Sequence, residues 1–166
     1  MKKVGIVMGS DSDLPVVKKA IDQLKSLEIP YEVHVYSAHR TPVEARDFAL
    51  NARERGFGAL IAAAGMAAHL AGALAANTTL PVIGIPCQGA CMDGLDALLS
   101  TVQMPTGIPV ATVAVNGGGN AALLAAQILA VEDAALATRL DEKRRKDAET
   151  VLAKDAGILE RIETGR

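Results

Sequence analysis

The chain has 166 residues with 17 basic and 19 acidic side chains, a net charge of −2 that excludes the basic surface selected by nucleic acids and anionic membranes. Apolar residues make up 50% and aromatic ones only 2%, with no Trp, so one ordinary core can form but a base-stacking platform cannot. Two cysteines are too few for a disulfide framework, and Asp11 and Asp13 follow the apolar start too closely for a secretory leader, so a reducing, cytoplasmic setting is expected.

In chain order, Val4–Gly9 is a short apolar run that predicts a buried strand. Leu14–Leu27 places Val16, Val17, Ala20, Ile21, Leu24 and Leu27 at helical spacing. Tyr31–Tyr36 alternates and predicts a second strand; a helix then runs from Pro42 to about Arg55, with Ala45, Phe48, Ala49 and Ala52 on one face. Ala59–Ala63 is a third strand, followed by a small-residue helix ending at Ala76. Val82–Ile85 and Val110–Val115 predict strands four and five, with helices at Leu95–Val102 and Ala121–Leu129. Strands alternating with helices predict right-handed βαβ units. The expected fold is α/β: a flavodoxin-like three-layer α/β/α sandwich on a five-stranded parallel sheet of order 2-1-3-4-5.

Charge divides the chain further. Residues 1–55 hold 17 charged side chains, residues 56–131 hold only Asp93 and Asp96, and residues 132–166 hold 17. The uncharged runs raise the membrane question, but Pro81, Pro86, Pro105 and Pro109 break them into strand-length pieces. The middle block therefore predicts a sheet buried on both faces. Its uncharged helices, 66–77 and 119–131, predict packing on both sides and hence a homo-oligomer. We read residues 1–131 as one α/β domain and 132–166 as a helical arm with a thin apolar stripe (Leu136, Leu140, Val151, Leu152, Ile158, Leu159 and Ile162). The arm packs on the domain or on a neighbouring subunit, or stands as a solvated helix.

Ligands of doubly wound sheets bind beyond the carboxyl ends of the strands, so the residues there are the ones that matter. Strand one leads into Gly9-Ser10-Asp11-Ser12-Asp13. Hydroxyls beside a helix start suit a phosphate, with Asp13 accepting from sugar hydroxyls; plain helix capping explains the same residues equally well. Strand two leads into Ser37-Ala38-His39-Arg40-Thr41-Pro42. Arg40 offers a planar charged fork for phosphate, and His39 is suited to proton transfer near neutrality. Strands one and two are neighbours, so both loops should face one cleft. After strand three, the small residues around Gly65 and Ala67 bring backbone N–H groups near a ligand, for a carboxylate or a gas-sized apolar pocket, and His69 is a second candidate proton handler, a structural histidine explaining it equally well. His34, mid-strand, is expected to be structural. Cys87 and Cys91 lack a metal-completing partner and are expected to be buried and apolar. Gly117-Gly118-Gly119-Asn120 fits a dinucleotide turn, but no second strand follows, so it is read as a helix start, with a place beside the ligand left open.

Together, Gly9–Asp13, Ser37–Pro42, Ala67–Leu70, Val102–Val110 and Asn120–Gln127 resemble the 5-(carboxyamino)imidazole ribonucleotide mutases, catalytic subunits of the purine-pathway carboxylase system, over about Val4 to Leu129. The resemblance implies movement of a carboxylate from the exocyclic nitrogen of an aminoimidazole ribonucleotide to a ring carbon, with no metal and no organic cofactor. It implies an octamer whose C-terminal helix reaches a neighbour, a small ribonucleotide substrate, and functional pairing with an ATP-dependent carboxyaminoimidazole ribonucleotide synthetase. By matching position it implies His39 as general acid/base and Ser10, Asp13 and Arg40 as nucleotide-binding residues, with Ser12 and Ser37 near the phosphate. His69 falls in the carboxylate pocket, with Gly65 and Ala67 as further substrate-binding positions. The chain departs from the pattern at Met66, where many members have Gly, and at Gly89, where Ser is common. Two alternatives stand beside this reading. One is a direct aminoimidazole ribonucleotide carboxylase, a branch that typically has Lys where Arg40 stands and lacks His69. The other is a non-catalytic flavodoxin-like module that binds a phosphorylated ligand.

Overall fold

The computed structural model describes residues 1–164. Five strands form one sheet: β1 (Lys3–Met8), β2 (Tyr31–Val35), β3 (Phe57–Gly65), β4 (Val82–Cys87) and β5 (Ala111–Thr112). They lie in the order β2-β1-β3-β4-β5 and every pairing is parallel, the doubly wound topology expected from the alternation of elements. In β1 the even residues Val4, Ile6 and Met8 face one layer and Val7 the other, as the two-residue repeat of a strand requires.

Helices α1 (Leu14–Ser26) and α5 (Gly118–Ala130) cover the first face, where Val17, Ala20 and Leu24 meet Ala121, Ala122 and Ala125 over Ile61 and Ile83. Helices α2 (Pro42–Asn51) and α3 (Leu70–Ala75) cover the second, where Phe48, Leu70 and Leu74 pack on Val7, Leu60 and Val82. Helix α4 (Leu95–Val102) lies on that same face beside β4, its Thr101 methyl standing where a Cβ at Gly84 would be, 2.4 Å away. Each fully buried Val, Leu or Ile contributes about 1.5–3 kcal/mol, so the two aliphatic layers are the main source of stability.

Helix α6 (Ala134–Ala156) begins on the domain and leaves it. Asp133 caps it by accepting from the Leu136 N–H at 3.0 Å, Leu136 is fully buried in the first layer, and Arg139 Nε donates to Leu27 O at 3.0 Å. From Arg144 to Ala156 every residue is exposed, and α7 (Ile158–Thr164) follows. Val151, Leu152, Leu159 and Ile162 are 64–71% exposed, so within one chain the apolar stripe is uncovered.

Three expectations change. Strand five is two residues long rather than Val110–Val115; beyond it the chain still follows β4, with Val113 N donating to Gly84 O at 3.1 Å, but only as isolated bonds. Helix α2 stops at Asn51, and Gly56 at φ 83° turns the chain into β3. The uncharged face of α5 is explained inside the chain, because α1, the sheet and α6 cover it; besides the α6–α7 stripe, uncovered apolar residues lie on α4, where Leu95, Leu99 and Val102 are 47–49% exposed.

Candidate active site

The carboxyl ends of β1, β2, β3 and β4 open onto a cleft of about 660 Å³. All nine candidate residues line it: Ser10, Ser12, Asp13, Ser37, His39, Arg40, Gly65, Ala67 and His69. Parallel pairing of the strands puts their loops side by side, so residues up to about sixty positions apart share one wall.

The β1 loop divides between capping and the cleft. Ser10 caps a 3-10 turn at Asp11–Asp13, its Oγ accepting from Ser12 N at 3.3 Å and from Ser12 Oγ at 2.9 Å. Asp13 sits at the N-cap of α1 yet makes no side-chain bond to the helix. Capping therefore accounts for Ser10 but not for Asp13, whose carboxyl remains directed to the cleft and its floor. The β2 loop is equally self-supporting. Ser37 Oγ accepts from the N–H groups of His39 at 3.3 Å and Arg40 at 3.1 Å, while Ser37 N donates to Thr41 Oγ1 at 2.8 Å. These bonds fix the backbone that presents both side chains. Arg40 then reaches across to the first loop, its guanidinium donating to Gly9 O at 3.2 Å. The cation thus ties the second loop to the first in the cleft that Ser10, Ser12 and Ser37 also line, a set suited to phosphate.

His39 Nε2 lies 3.0 Å from His69 Nδ1, and the rings meet edge to face with centroids 5.2 Å apart. One nitrogen donates and the other accepts. His69 occupies the N-cap position of α3 without capping it, so its ring is engaged by His39 and not by the helix. The turn between β3 and α3 is tight: Ala68 N donates to Met66 O at 2.9 Å and His69 N to Ala67 O at 2.8 Å. Met66 holds it at φ 56°.

Under the cleft, burial raises the Asp13 carboxyl above its usual range, opposed by bonds from the Ser10 backbone and the Cys87 thiol. The same burial, with the negative charge of Asp13 beside it, pushes the Cys87 thiol up to about 12. Cys87 is therefore a neutral S–H donor with two acceptors in reach, Asp13 and Ile85 O at 3.7 Å. That is more than the inert apolar role expected of it. Cys91 is exposed, against the expectation that both cysteines are buried.

Gln88 and Gly89 also line the cleft and were missed by sequence reasoning. Gln88 is held by a reciprocal pair of 3.0 Å bonds with Asn116 and donates to Asp93. Its position directly after β4 was the available signal. Gly117–Asn120 does not line the cleft: a Cβ at Gly118 would stand 2.1 Å from Val16 O, so this glycine serves the close approach of α5 to α1. His34 is structural, stacked on Tyr36 at 4.8 Å and bonded to Glu32 at 2.8 Å. Among the described residues no group of three or more His, Cys, Asp or Glu is placed to hold a metal, and no helix is long and apolar enough to cross a membrane.

The AIR carboxylase family matches residues 3–150. The chain is 55% identical over 151 residues to the N5-carboxyaminoimidazole ribonucleotide mutase of Bacillus subtilis, covering 90% of this chain and 93% of that one. It is 54% identical over 147 residues to the mutase of the same name from Pyrococcus abyssi, covering 89% and 84%. It is 52% identical over 151 residues to the phosphoribosylaminoimidazole carboxylase of Saccharomyces cerevisiae, covering 91% of this chain but spanning only 26% of that relative. A crystal structure of Treponema denticola PurE superimposes with a TM-score of 0.82 at 29% identity, covering 92% of this chain and 96% of that one.

Proposed function

The chain belongs to the AIR carboxylase family, and we propose that it acts as a mutase of de novo purine biosynthesis, converting 5-carboxyaminoimidazole ribonucleotide to 4-carboxy-5-aminoimidazole ribonucleotide. The observation that carries this reading is the His39–His69 pair, 3.0 Å apart, in the cleft that Arg40 borders. Arg40, Ser10, Ser12 and Ser37 hold the phosphate end, and Asp13 accepts from the sugar hydroxyls. Binding of this unreacting part places the ring against His39.

His39 gives a proton to the carbamate nitrogen. The nitrogen–carbon bond breaks with its electron pair left on nitrogen, and carbon dioxide is freed beside Gly65, Ala67 and His69. The electron-rich ring then attacks that carbon through its neighbouring ring position, and His39 takes the proton this carbon gives up. One proton leaves the imidazole and one returns, so the sequence calls for no cofactor, ATP or redox partner.

The direct carboxylase is the weaker reading. The yeast relative bearing that name is far longer than this chain, whereas mutases from Bacillus subtilis and Pyrococcus abyssi match over most of their length. Arg40 and His69 also side with the mutase. The test is turnover: purified protein converts the carbamate ribonucleotide without added metal, ATP or bicarbonate. Activity only on the unsubstituted ribonucleotide with high bicarbonate would move it to the carboxylase branch, and binding without turnover would make it a ligand-binding module.

The same reading makes the protein a cytoplasmic homo-octamer, supplied with substrate by an ATP-dependent synthetase, with residues 1–131 as the catalytic domain and the 132–166 arm reaching a neighbour. Support comes from the uncovered apolar residues on α4 and along α6 and α7. Sedimentation of the intact chain is expected to give a large assembly; a stable monomer would contradict it.

A further inference from the structure

We propose that Met66 is the cover of the cleft, holding the freed one-carbon fragment against the ring until it is recaptured; this inference rests on the carboxylate-transfer reading above. Four non-glycine residues among those described have positive φ: Glu28, Met66 and Asp93 at 56° and Asn116 at 57°. Asp and Asn tolerate this region because their short polar side chains bond locally. Glu28 ends a helix, its N–H donating to Lys25 O at 3.0 Å while Ile29 N donates to Leu24 O at 2.9 Å. Such helix-closing turns commonly place a residue in the left-handed region.

Met66 has neither reason. It follows a strand, carries no group for a local bond, and leaves 72% of its surface exposed, so packing does not hold it there. A glycine would make the same turn without strain. What the methionine adds is reach. Its neighbours along the chain are Ala64, Gly65 and Ala67, all too small to close the cleft, while His39 and His69 line the same cleft and are exposed. A flexible, polarizable thioether chain adapts to a small irregular volume. Carbon dioxide has no charge for the protein to grip, so only shape and exclusion of solvent retain it. A strained backbone position that presents an apolar side chain at such a mouth is where function, not folding, selects the residue.

The experiment supplies the intact protein with substrate isotopically labelled in the carbamate carboxylate, in buffer containing unlabelled bicarbonate. Mass spectrometry reads the fraction of product that keeps the label, corrected for enzyme-free decay. Wild type and Met66→Leu are expected to keep it. Met66→Gly and Met66→Ala are expected to lose it several-fold more often and to release decarboxylated ribonucleotide. Met66→Gly should melt no lower than wild type, which separates the effect from misfolding. Label retention in both small variants equal to wild type overturns the proposal. So does label loss that tracks only dissociation of the assembly, which would make Met66 an interface contact. A wild-type protein that never converts the carbamate overturns the carboxylate-transfer reading, and this inference with it.

Discussion

At the amino ends of the strands lie two clefts of about 980 and 720 Å³, both larger than the 660 Å³ cleft at the carboxyl ends. Their walls are mainly apolar, including Leu50, Leu80, Pro81 and Ile108 in one and Phe57, Ile128 and Leu129 in the other. Arg53, which borders both, donates to Thr79 Oγ1 at 2.9 Å, and no His or Cys lines either. The smaller cleft gathers two imidazoles, a guanidinium, a half-buried carboxyl and three hydroxyls. Convergence of reactive groups, and not volume, makes the carboxyl end the candidate site of this sheet. The parallel strands explain the asymmetry. Every crossover delivers a loop and the start of a helix to the carboxyl end, where N–H groups favour anions, and the end of a helix to the other.

Substitutions at the two ends should separate accordingly. His39→Asn removes the proposed proton carrier while keeping a polar side chain, and should lower kcat by about 10²–10⁴-fold with nucleotide affinity retained; a steady-state assay and a binding titration check both halves. At the amino end, Glu32 bonds Lys3 at 3.0 Å, His34 at 2.8 Å and Arg55, contacts that hold its carboxyl down at about 2, His34 foremost. Glu32→Gln should leave turnover within about twofold and cost on the order of 1 kcal/mol, lowering Tm by about 2–4 °C at neutral pH. The smallest effect is its pH dependence. A depressed carboxylate stabilises the fold above its ordinary value and loses that contribution on acidification, so wild type and variant should converge in melting scans as pH falls from 4.5 to about 2. Equal loss of turnover from both substitutions would break the distinction between the two ends.

How legible this molecule is from sequence depends on the element. The alternation of apolar runs with amphipathic segments carries the sheet order, because a helix-length crossover between parallel strands allows few arrangements. Boundaries are less legible. Strand β5 shrinks to two residues at the edge of the sheet, with only β4 to pair with, and α5 starts at Gly118, inside the glycine run. That run reads as a ligand turn until Val16 O is seen against it, a contact between residues about a hundred positions apart that no local pattern encodes. The nine candidate residues share a wall because each ends or follows a strand, and that rule is legible. The proximity of Cys87 to Asp13, which raises the thiol, is not, since it depends on how the β4 and β1 ends meet in space. The uncharged α5 is a further lesson: absence of charge reported burial correctly but not what buries it, and the cover is the chain's own α6.

The contact between the two imidazoles has one more consequence. A hydrogen bond joining two ring nitrogens needs one of them bare, so hydrogens on both facing nitrogens would collide. The tautomer of one ring is thereby dictated by the other, so the two imidazoles share a single hydrogen along that edge. On the proposed mechanism, which hands back the hydrogen it borrows, both rings would end each cycle in the tautomers they began with.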